Sequence, residues 1–591
     1  MSVLSVNKLA VLFNTSDGDV DAVRGVSFNI EAGECLGIVG ESGSGKSQTF
    51  LAAMGLLAPN GRASGSVRFN GKEILNLPAN ELNLVRGDAI GMIFQDPLTA
   101  LTPHLKIGQQ MSEVLSAHRG VSGAEALRQC MSWLDKVRIP NVASRIKQFP
   151  HQLSGGMRQR VMIAMAMLCE PKLLIADEPT TALDVTVQAD VLDLIDTLRQ
   201  EQRLAVALIT HDMGVVARMC DRVQVMREGS FVEHGPVEDI FSKPQHAYTR
   251  QLLEAMPRID TDTLCSSDEN AKVILDVQDV KVHFPFKLTG GFFGRNTTLR
   301  AVDGVSFKLH EQETLGIVGE SGCGKSTLAR ALLRLIEPTV GIVSWLGTNL
   351  TTLDKRAMIE ARKDLQIVFQ DPFASLDPRM TIADSIAEPL RTFRKDLTDR
   401  ERKDTVKGMM QTVGLEPVML NRYPHELSGG QNQRVGIARA MINRPKLIIC
   451  DEAVSALDVS IQAQIIALLK QLQAEFGTSL LFISHDLSVV REISDRIMVV
   501  YLGRVVELAE ANSLCASPKH PYTQALISAV PIPDPVIERN RKRVKLSGDL
   551  ESPLDPTAAL RFLPGKIASG ELEYVPQLLE VAPGHFVAEF E

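Results

Sequence analysis

Residues 40–47 read Gly-Glu-Ser-Gly-Ser-Gly-Lys-Ser and residues 319–326 read Gly-Glu-Ser-Gly-Cys-Gly-Lys-Ser, one octapeptide written twice at an offset of 279. Each copy follows a short apolar run, 35–39 and 315–318, and precedes a helix-like stretch. A strand, a Gly-rich turn and a helix in that order make a phosphate cradle. Gly40, Gly43 and Gly45, and Gly319, Gly322 and Gly324, let the backbone N–H groups of the turn, with Ser42 and Ser321 inside it, converge on phosphate oxygens. The helix N-terminus, entered through Gln48 or Thr327, adds its positive dipole end. Lys46 and Lys325 then reach the β and γ phosphates, and the hydroxyls of Ser47 and Ser326 are placed to coordinate magnesium.

The duplication runs outward from this turn. AVRGVSF at 22–28 answers to AVDGVSF at 301–307, and IFQDPLTAL ending at Leu101 answers to VFQDPFASL ending at Leu376. PHQLSGG pairs with PHELSGG, Ser154 to Ser428, and from there the offset holds at 274 for Asp177 and Asp451, His211 and His485, and Tyr248 and Tyr522. Phe13 matches Phe284 at an offset of 271, which locates an eight-residue insertion within 285–300. A polar run with DTDT and SSDEN joins the copies and has the composition of a linker. The expected organisation is a first repeat over 1–258, a linker over 259–272, a second repeat over 273–535 and a Pro- and Gly-containing extension over 536–591.

Composition bounds the function. Of 591 residues, 45% are apolar and 23% charged, the balance of a folded globular chain. Lys plus Arg number 63 against 71 Asp plus Glu, a net charge of −8, so a whole-chain grip on a polyanion, and hence nucleic acid as a partner, is not expected. No apolar stretch approaches the roughly 18 to 20 residues that cross a bilayer; the run 161–169 stops at Glu170. The first residues read as a strand and not as a signal peptide, and the eight scattered cysteines, with no CxxC pair, read as reduced thiols of a cytoplasmic protein.

A second chemical element recurs in each repeat: the apolar run 173–176 ends in Asp177-Glu178, and 447–450 ends in Asp451-Glu452. The first carboxylate of each pair can hold magnesium at the strand end, and the second can orient and polarise an attacking water.

With the phosphate loop, the acidic strand end and Leu153-Ser154-Gly155-Gly156-Met157 or Leu427-Ser428-Gly429-Gly430-Gln431 between them, each half resembles an ATP-binding cassette ATPase. The resemblance implies an α/β fold of two P-loop cassettes, each a RecA-like core with an antiparallel β edge and an α-helical signature subdomain, followed by a short extension. It implies ATP and Mg2+ as cofactors. It implies Gln95 and Gln370 as Q-loop residues that also approach the metal, Asp184 and Asp458 as D-loop residues, His211 and His485 as switch histidines, and Phe13 and Phe284 as adenine-stacking rings, packing being the plainer reading of those two. It implies that the two cassettes pair within one chain, so that Ser428 and Gly430 serve the nucleotide on Lys46, and Ser154 and Gly156 the one on Lys325. Gln48, Met157 and Ala453 depart from the family pattern without removing a phosphate-, metal- or water-handling group. Cys323, where the first loop has Ser44, reads as a small filler; its place at a helix N-terminus raises the sharper expectation of an alkylatable thiol protected by ATP.

The segments PQHAYT at 244–249 and PKHPYT at 518–523 are similar to those of dipeptide and oligopeptide import ATPases, whose relatives include glutathione, nickel and opine importers. That implies two integral-membrane permeases and an extracytoplasmic solute-binding protein as partners, and a peripheral place on the cytoplasmic face of the inner membrane, held only through those partners. The alternative is a soluble tandem-cassette ATPase acting on ribosomes or nucleic acid, which would call for a long charged helical linker; a repair protein would call for zinc-finger cysteines or coiled coils. In the extension, Ser547, Gly548, Ser552 and Pro553 resemble its start in that subfamily and 583–587 its end, and the lack of any cysteine after Cys515 excludes a four-thiolate cluster there. The basic run Arg539, Arg541, Lys542, Arg543 and Lys545 reads as a solvated connector, with contact to anionic lipid as the sharper alternative.

Overall fold

The computed structural model describes residues 2–16, 18–181, 183–260, 271–288, 295–455, 457–546, 554–555, 557–572 and 574–591. Most of the 259–272 linker, the centre of the 285–300 insertion, Cys265 and the 547–553 part of the extension lie outside them. Two compact units are formed: Met1–Met256 with Pro531–Arg541, and Pro257–Val530 with Lys542–Glu591.

In the first unit a four-stranded antiparallel sheet is ordered Gly18–Glu31, Ser2–Thr15, Gly61–Phe69, Lys72–Glu73. A six-stranded sheet is ordered Ser230–Pro236, Arg222–Arg227, Cys35–Val39, Ala205–Thr210, Leu173–Asp177, Ile90–Ile93. Its last five strands are parallel and only Ser230–Pro236 is antiparallel. Strands covered on both faces must be apolar throughout, and Cys35–Val39 and Leu173–Asp177 are buried at every position. Leu4, Ile30, Ile38 and Phe50 fill a core in which both sheets take part. The helices Ile107–Arg119, Gly123–Lys136 and Gly155–Met167 bury Met111, Leu115, Trp133, Leu134 and Val161 together, which is the expected helical subdomain.

Within the basic run Arg539 is exposed, as a solvated connector requires, and it is also anchored. The helix Pro535–Asn540, capped by Asp534, packs in the first unit, and Arg539 donates to Glu238 Oε1 at 2.7 Å and to the carbonyl of Cys220. A guanidinium's rigid fork of donors can serve such a carboxylate and carbonyl together.

The second unit repeats the plan, with an antiparallel sheet ordered Arg295–His310, Val273–Leu288, Val340–Trp345, Thr348–Asn349. Its second sheet grows to eight strands, the first five parallel and the last three joined antiparallel: Leu365–Val368, Leu447–Asp451, Ser479–Ser484, Thr314–Val318, Arg496–Tyr501, Arg504–Glu510, His585–Ala588, Leu578–Ala582. The last two come from the extension and cover the edge that Arg504–Glu510 would otherwise expose. The join is polar as well: His585 Nε2 lies 2.7 Å from Glu507 Oε1, and Glu507 is fully buried. Among the described residues, no helix is long and apolar enough to cross a membrane.

Candidate active site

Each phosphate loop is shaped by what stands behind it. Gly45 and Gly324 have φ of 101° and 103°, and a Cβ there would lie 2.3 Å from the carbonyl oxygen of Ala22 and 2.0 Å from that of Ala301. The loop is pressed against its own antiparallel hairpin, and only glycine fits. The helices Lys46–Ala53 and Lys325–Leu332 begin immediately afterwards, with Gln48 and Thr327 in their first turns. Lys46 and Lys325 are 5% and 4% exposed. Lys46 Nζ donates to the carbonyls of Gly40 and Glu41 at 2.8 Å each; Lys325 Nζ donates to those of Gly319 and Glu320 at 2.7 and 3.0 Å.

The acidic pair ends a fully buried strand two places from the loop's own strand in the sheet. Ser47 Oγ donates to Asp177 Oδ1 at 2.8 Å across 130 positions of sequence, and Ser326 Oγ to Asp451 Oδ1 at 2.8 Å. Burial pushes the Asp177 and Asp451 carboxyls up, and the neighbouring Glu178 or Glu452 adds to this against the serine hydrogen bond. A hydroxyl, a carboxylate and an adjacent second carboxylate in partial desolvation are hard oxygen donors with excess negative charge, the donor set that suits magnesium.

Glu178 and Glu452 sit in left-handed backbone, φ 47° and 49°. That conformation costs about 1–2 kcal/mol for a residue with a Cβ. It is held by the residue's own N–H, which donates to Ile209 O at 2.9 Å and to Ile483 O at 3.0 Å on the next strand. The side chains gather the rest of the site. Gln95 Nε2 donates to Glu178 Oε2 at 2.8 Å, Thr181 Oγ1 donates to the same oxygen at 2.9 Å, and His211 Nδ1 lies 3.2 Å from Oε1. In the second unit Gln370 Nε2 donates to Glu452 Oε2 at 2.7 Å, and His485 Nδ1 stands at an ion-pair distance of 3.7 Å. Ser455 takes Thr181's place but turns its hydroxyl to the Glu452 carbonyl at 3.0 Å. Thr181 is therefore a site residue that sequence reasoning missed; its only signal is a hydroxyl kept at both positions of the repeat.

Burial alone would raise Glu178, but the bond and charge of His211 outweigh it and hold the carboxyl below its usual 4.5. For Glu452 the contact with His485 comes first and burial opposes it, with the same net direction. Burial works to lower His211 and His485, and the facing glutamate, with Asp212 or Asp486, raises them above 6.5. The histidine's stabilising part is complete below pH 6.5 and fades as pH rises through its elevated value. The glutamate's part is complete above pH 4.5 and fades as pH falls through its lowered one. The melting-temperature gap between the wild type and His211→Gln should therefore be widest between pH 4.5 and 6.5 and shrink on both sides. Thermal unfolding over pH 4 to 9 checks this, and a gap that does not vary with pH would refute it.

Other expected residues make contacts of their own within their units. Ser154 and Ser428 are exposed N-caps whose hydroxyls accept from Met157 N and Gln431 N at 3.3 Å. A Cβ on Gly156 would lie 2.5 Å from Val187, and on Gly430 2.6 Å from Ile461, so packing within each unit requires these glycines; Gly155 faces open space. Asp184 and Asp458 are the N-cap residues of Val185–Gln202 and Val459–Phe476. Phe13 lies against Gly61, while Phe284 is 37% exposed. Against the reactive-thiol expectation, Cys323 is buried, 4% exposed, with its sulfur packed close to Gly319.

Two parallel-sheet cores, each with a phosphate loop, an acidic strand end and a glutamate held by glutamine and histidine, define a tandem P-loop ATPase. The model of the ABC transporter family matches residues 23–181 and 302–455, and that of the oligopeptide/dipeptide transporter C-terminal region matches 232–273 and 506–559. The chain belongs to the ABC transporter ATP-binding proteins, and it is an ATPase with the two-cassette α/β fold expected from its motifs. It is 46% identical to the glutathione import ATP-binding protein GsiA of Salmonella typhimurium over 99% of this chain and 96% of that protein. GsiA of Escherichia coli is equally similar, over 100% of this chain and 97% of that protein. A solved dimer of the ATP-binding cassette MJ0796 covers 40% of this chain and 99% of its own at 30% identity, with a TM-score of 0.36.

Proposed function

We propose that this chain hydrolyses MgATP at two sites and thereby energises import of glutathione, small peptides or related solutes through two separate membrane permeases fed by an extracytoplasmic binding protein. The observation that carries it is the Asp-Glu pair at the end of a buried strand with its serine, glutamine and histidine partners, repeated in both halves. The full-length similarity to glutathione import proteins and the match to the peptide-transporter C-terminal region support the solute class. In this reading the chain works at the cytoplasmic face of the membrane, attached through its permeases. Lys46 and Lys325 bind the phosphates, and Ser47 with Asp177, and Ser326 with Asp451, hold magnesium, assisted by Gln95 and Gln370. Bound magnesium neutralises phosphate charge. Glu178 and Glu452, kept ionised by their histidines, accept a proton from the attacking water and fix its direction; His211 and His485 hold that carboxylate in place.

The test is uptake. Cells lacking this chain should lose accumulation of labelled glutathione or of di- and tripeptides, and regain it with the wild type but not with Glu178→Gln/Glu452→Gln. Undiminished uptake of all of these in the deletion strain would rule the solute class out.

A further inference from the structure

Neither phosphate loop stands alone in its unit. The backbone N–H of Glu41 donates to the phenol oxygen of Tyr248 at 3.1 Å, and that of Glu320 to the phenol oxygen of Tyr522 at 3.2 Å, across 207 and 202 positions of sequence. The carbonyls of the same two residues accept from Lys46 and Lys325. One loop residue is thus gripped at both ends, by a tyrosine on its N–H and by the phosphate-binding lysine on its C=O.

The tyrosines are held with care. They are 4% and 0% exposed. His246 and His520 cap the helices Ala247–Glu254 and Pro521–Ala529, each Nδ1 accepting the tyrosine N–H, at 3.2 and 3.1 Å. Burial depresses His520 to about 4, so its ring is neutral and that nitrogen keeps its lone pair. Glu233 accepts from Gln245 N and His246 N, and Glu507 from Lys519 N and His520 N. Around the rings the halves diverge. The guanidinium of Arg227 lies 5.0 Å from the Tyr248 centroid, whereas the counterpart Tyr501 packs its ring at a tilt of 50°, 4.7 Å from that of Tyr522. Phe562 of the extension then packs on Tyr501 and His520 at 5.5 and 4.7 Å, and Phe590 on His520 at 5.5 Å.

We propose that Tyr248 and Tyr522 are positioning residues of the two phosphate loops, and that the C-terminal extension serves this purpose in the second unit by fixing Tyr501, His520 and Tyr522. The idea rests on the ATP-binding reading above. When a lysine turns from the loop carbonyls to a phosphate, the tyrosine bond keeps the loop's entry in place, so the loop need not be ordered at the moment of binding. Sequence carried a hint of this, the His-x-Tyr-Thr run at 246–249 and 520–523. What the run touches was not legible there.

The experiment uses the full-length chain, Mg2+ and ATP, with Tyr248→Phe, Tyr522→Phe and the double variant, which keep the rings and remove only the hydroxyls. Loss of one such bond per loop should raise the ATP Kd and KM of the double variant about fivefold to tenfold. kcat should change less than twofold, and the nucleotide-free melting temperature by no more than a degree or two. Unchanged Kd and KM, or a rise that only accompanies a lower melting temperature and a matching loss of kcat, overturns the proposal. A wild type that binds no ATP would instead refute the ATP-binding reading itself. Amide exchange gives a second readout should a variant fold poorly. In Phe562→Leu, exchange across 319–324 should quicken while 40–45 stays as in the wild type. Equal change in both loops, or in neither, overturns the part assigned to the extension.

Discussion

Glu178→Gln and Glu452→Gln should each silence one of two hydrolytic centres. With two ATP loaded per chain, wild type is expected to convert both in one rapid phase. Either single variant should convert one at that rate and the other about 100 to 1,000 times more slowly, and the double variant should keep only the slow phase. The physical reason is that glutamine keeps the shape and the hydrogen bond from Gln95 or Gln370 but cannot take a proton. It also removes the charge that raises the facing histidine. The left-handed backbone at both positions is fixed by strand hydrogen bonds, so the substitutions should leave folding intact. Rapid-quench measurement of phosphate release decides the matter. A single variant that retains two fast turnovers would show that its glutamate is not the water-handling group.

Lys46→Ala or Lys325→Ala should weaken ATP binding at the altered site by about 100-fold or more, since two charge-assisted hydrogen bonds to phosphate are lost together. Each lysine is nearly buried and already bonded to two loop carbonyls, which keeps the ammonium at the mouth of the loop rather than ranging over solvent. Equilibrium titration with ATP should then show one strong and one weak site in each single variant. Two sites within tenfold of the wild-type affinity would argue that the backbone cradle binds the phosphates without the lysine.

Most of the candidate site was legible because its chemistry is local. A Gly-rich turn after an apolar strand, two acids at a strand end and the spacing between them are short-range patterns, and the internal repeat supplied an independent copy of each. Thr181 was not legible, because nothing in a threonine after Pro-Thr says which way its hydroxyl turns, and its counterpart Ser455 turns the other way. Cys323 was misjudged in its sharper reading for a similar reason. A helix N-terminus can be inferred from the octapeptide, but the packing that buries Cys323 cannot. The extension shows in sequence as a segment outside the repeat whose two ends resemble those of the peptide-importer subfamily, but what it pairs with does not show. Its strands Leu578–Ala582 and His585–Ala588 have no long apolar run, and only the free edge of Arg504–Glu510 gives them a place.

By itself, the sequence determined that this chain is two ATP-binding cassettes in tandem, and it named the phosphate, metal and water-handling residues expected in each, since those identities are written in short motifs repeated in register. Tertiary structure alone decided that a tyrosine some 200 residues downstream grips each phosphate loop, that Thr181 turns its hydroxyl to Glu178, and that the C-terminal extension completes the second sheet. Those contacts follow from strand order and from which edge is left unpaired, and both are properties of the assembled sheet.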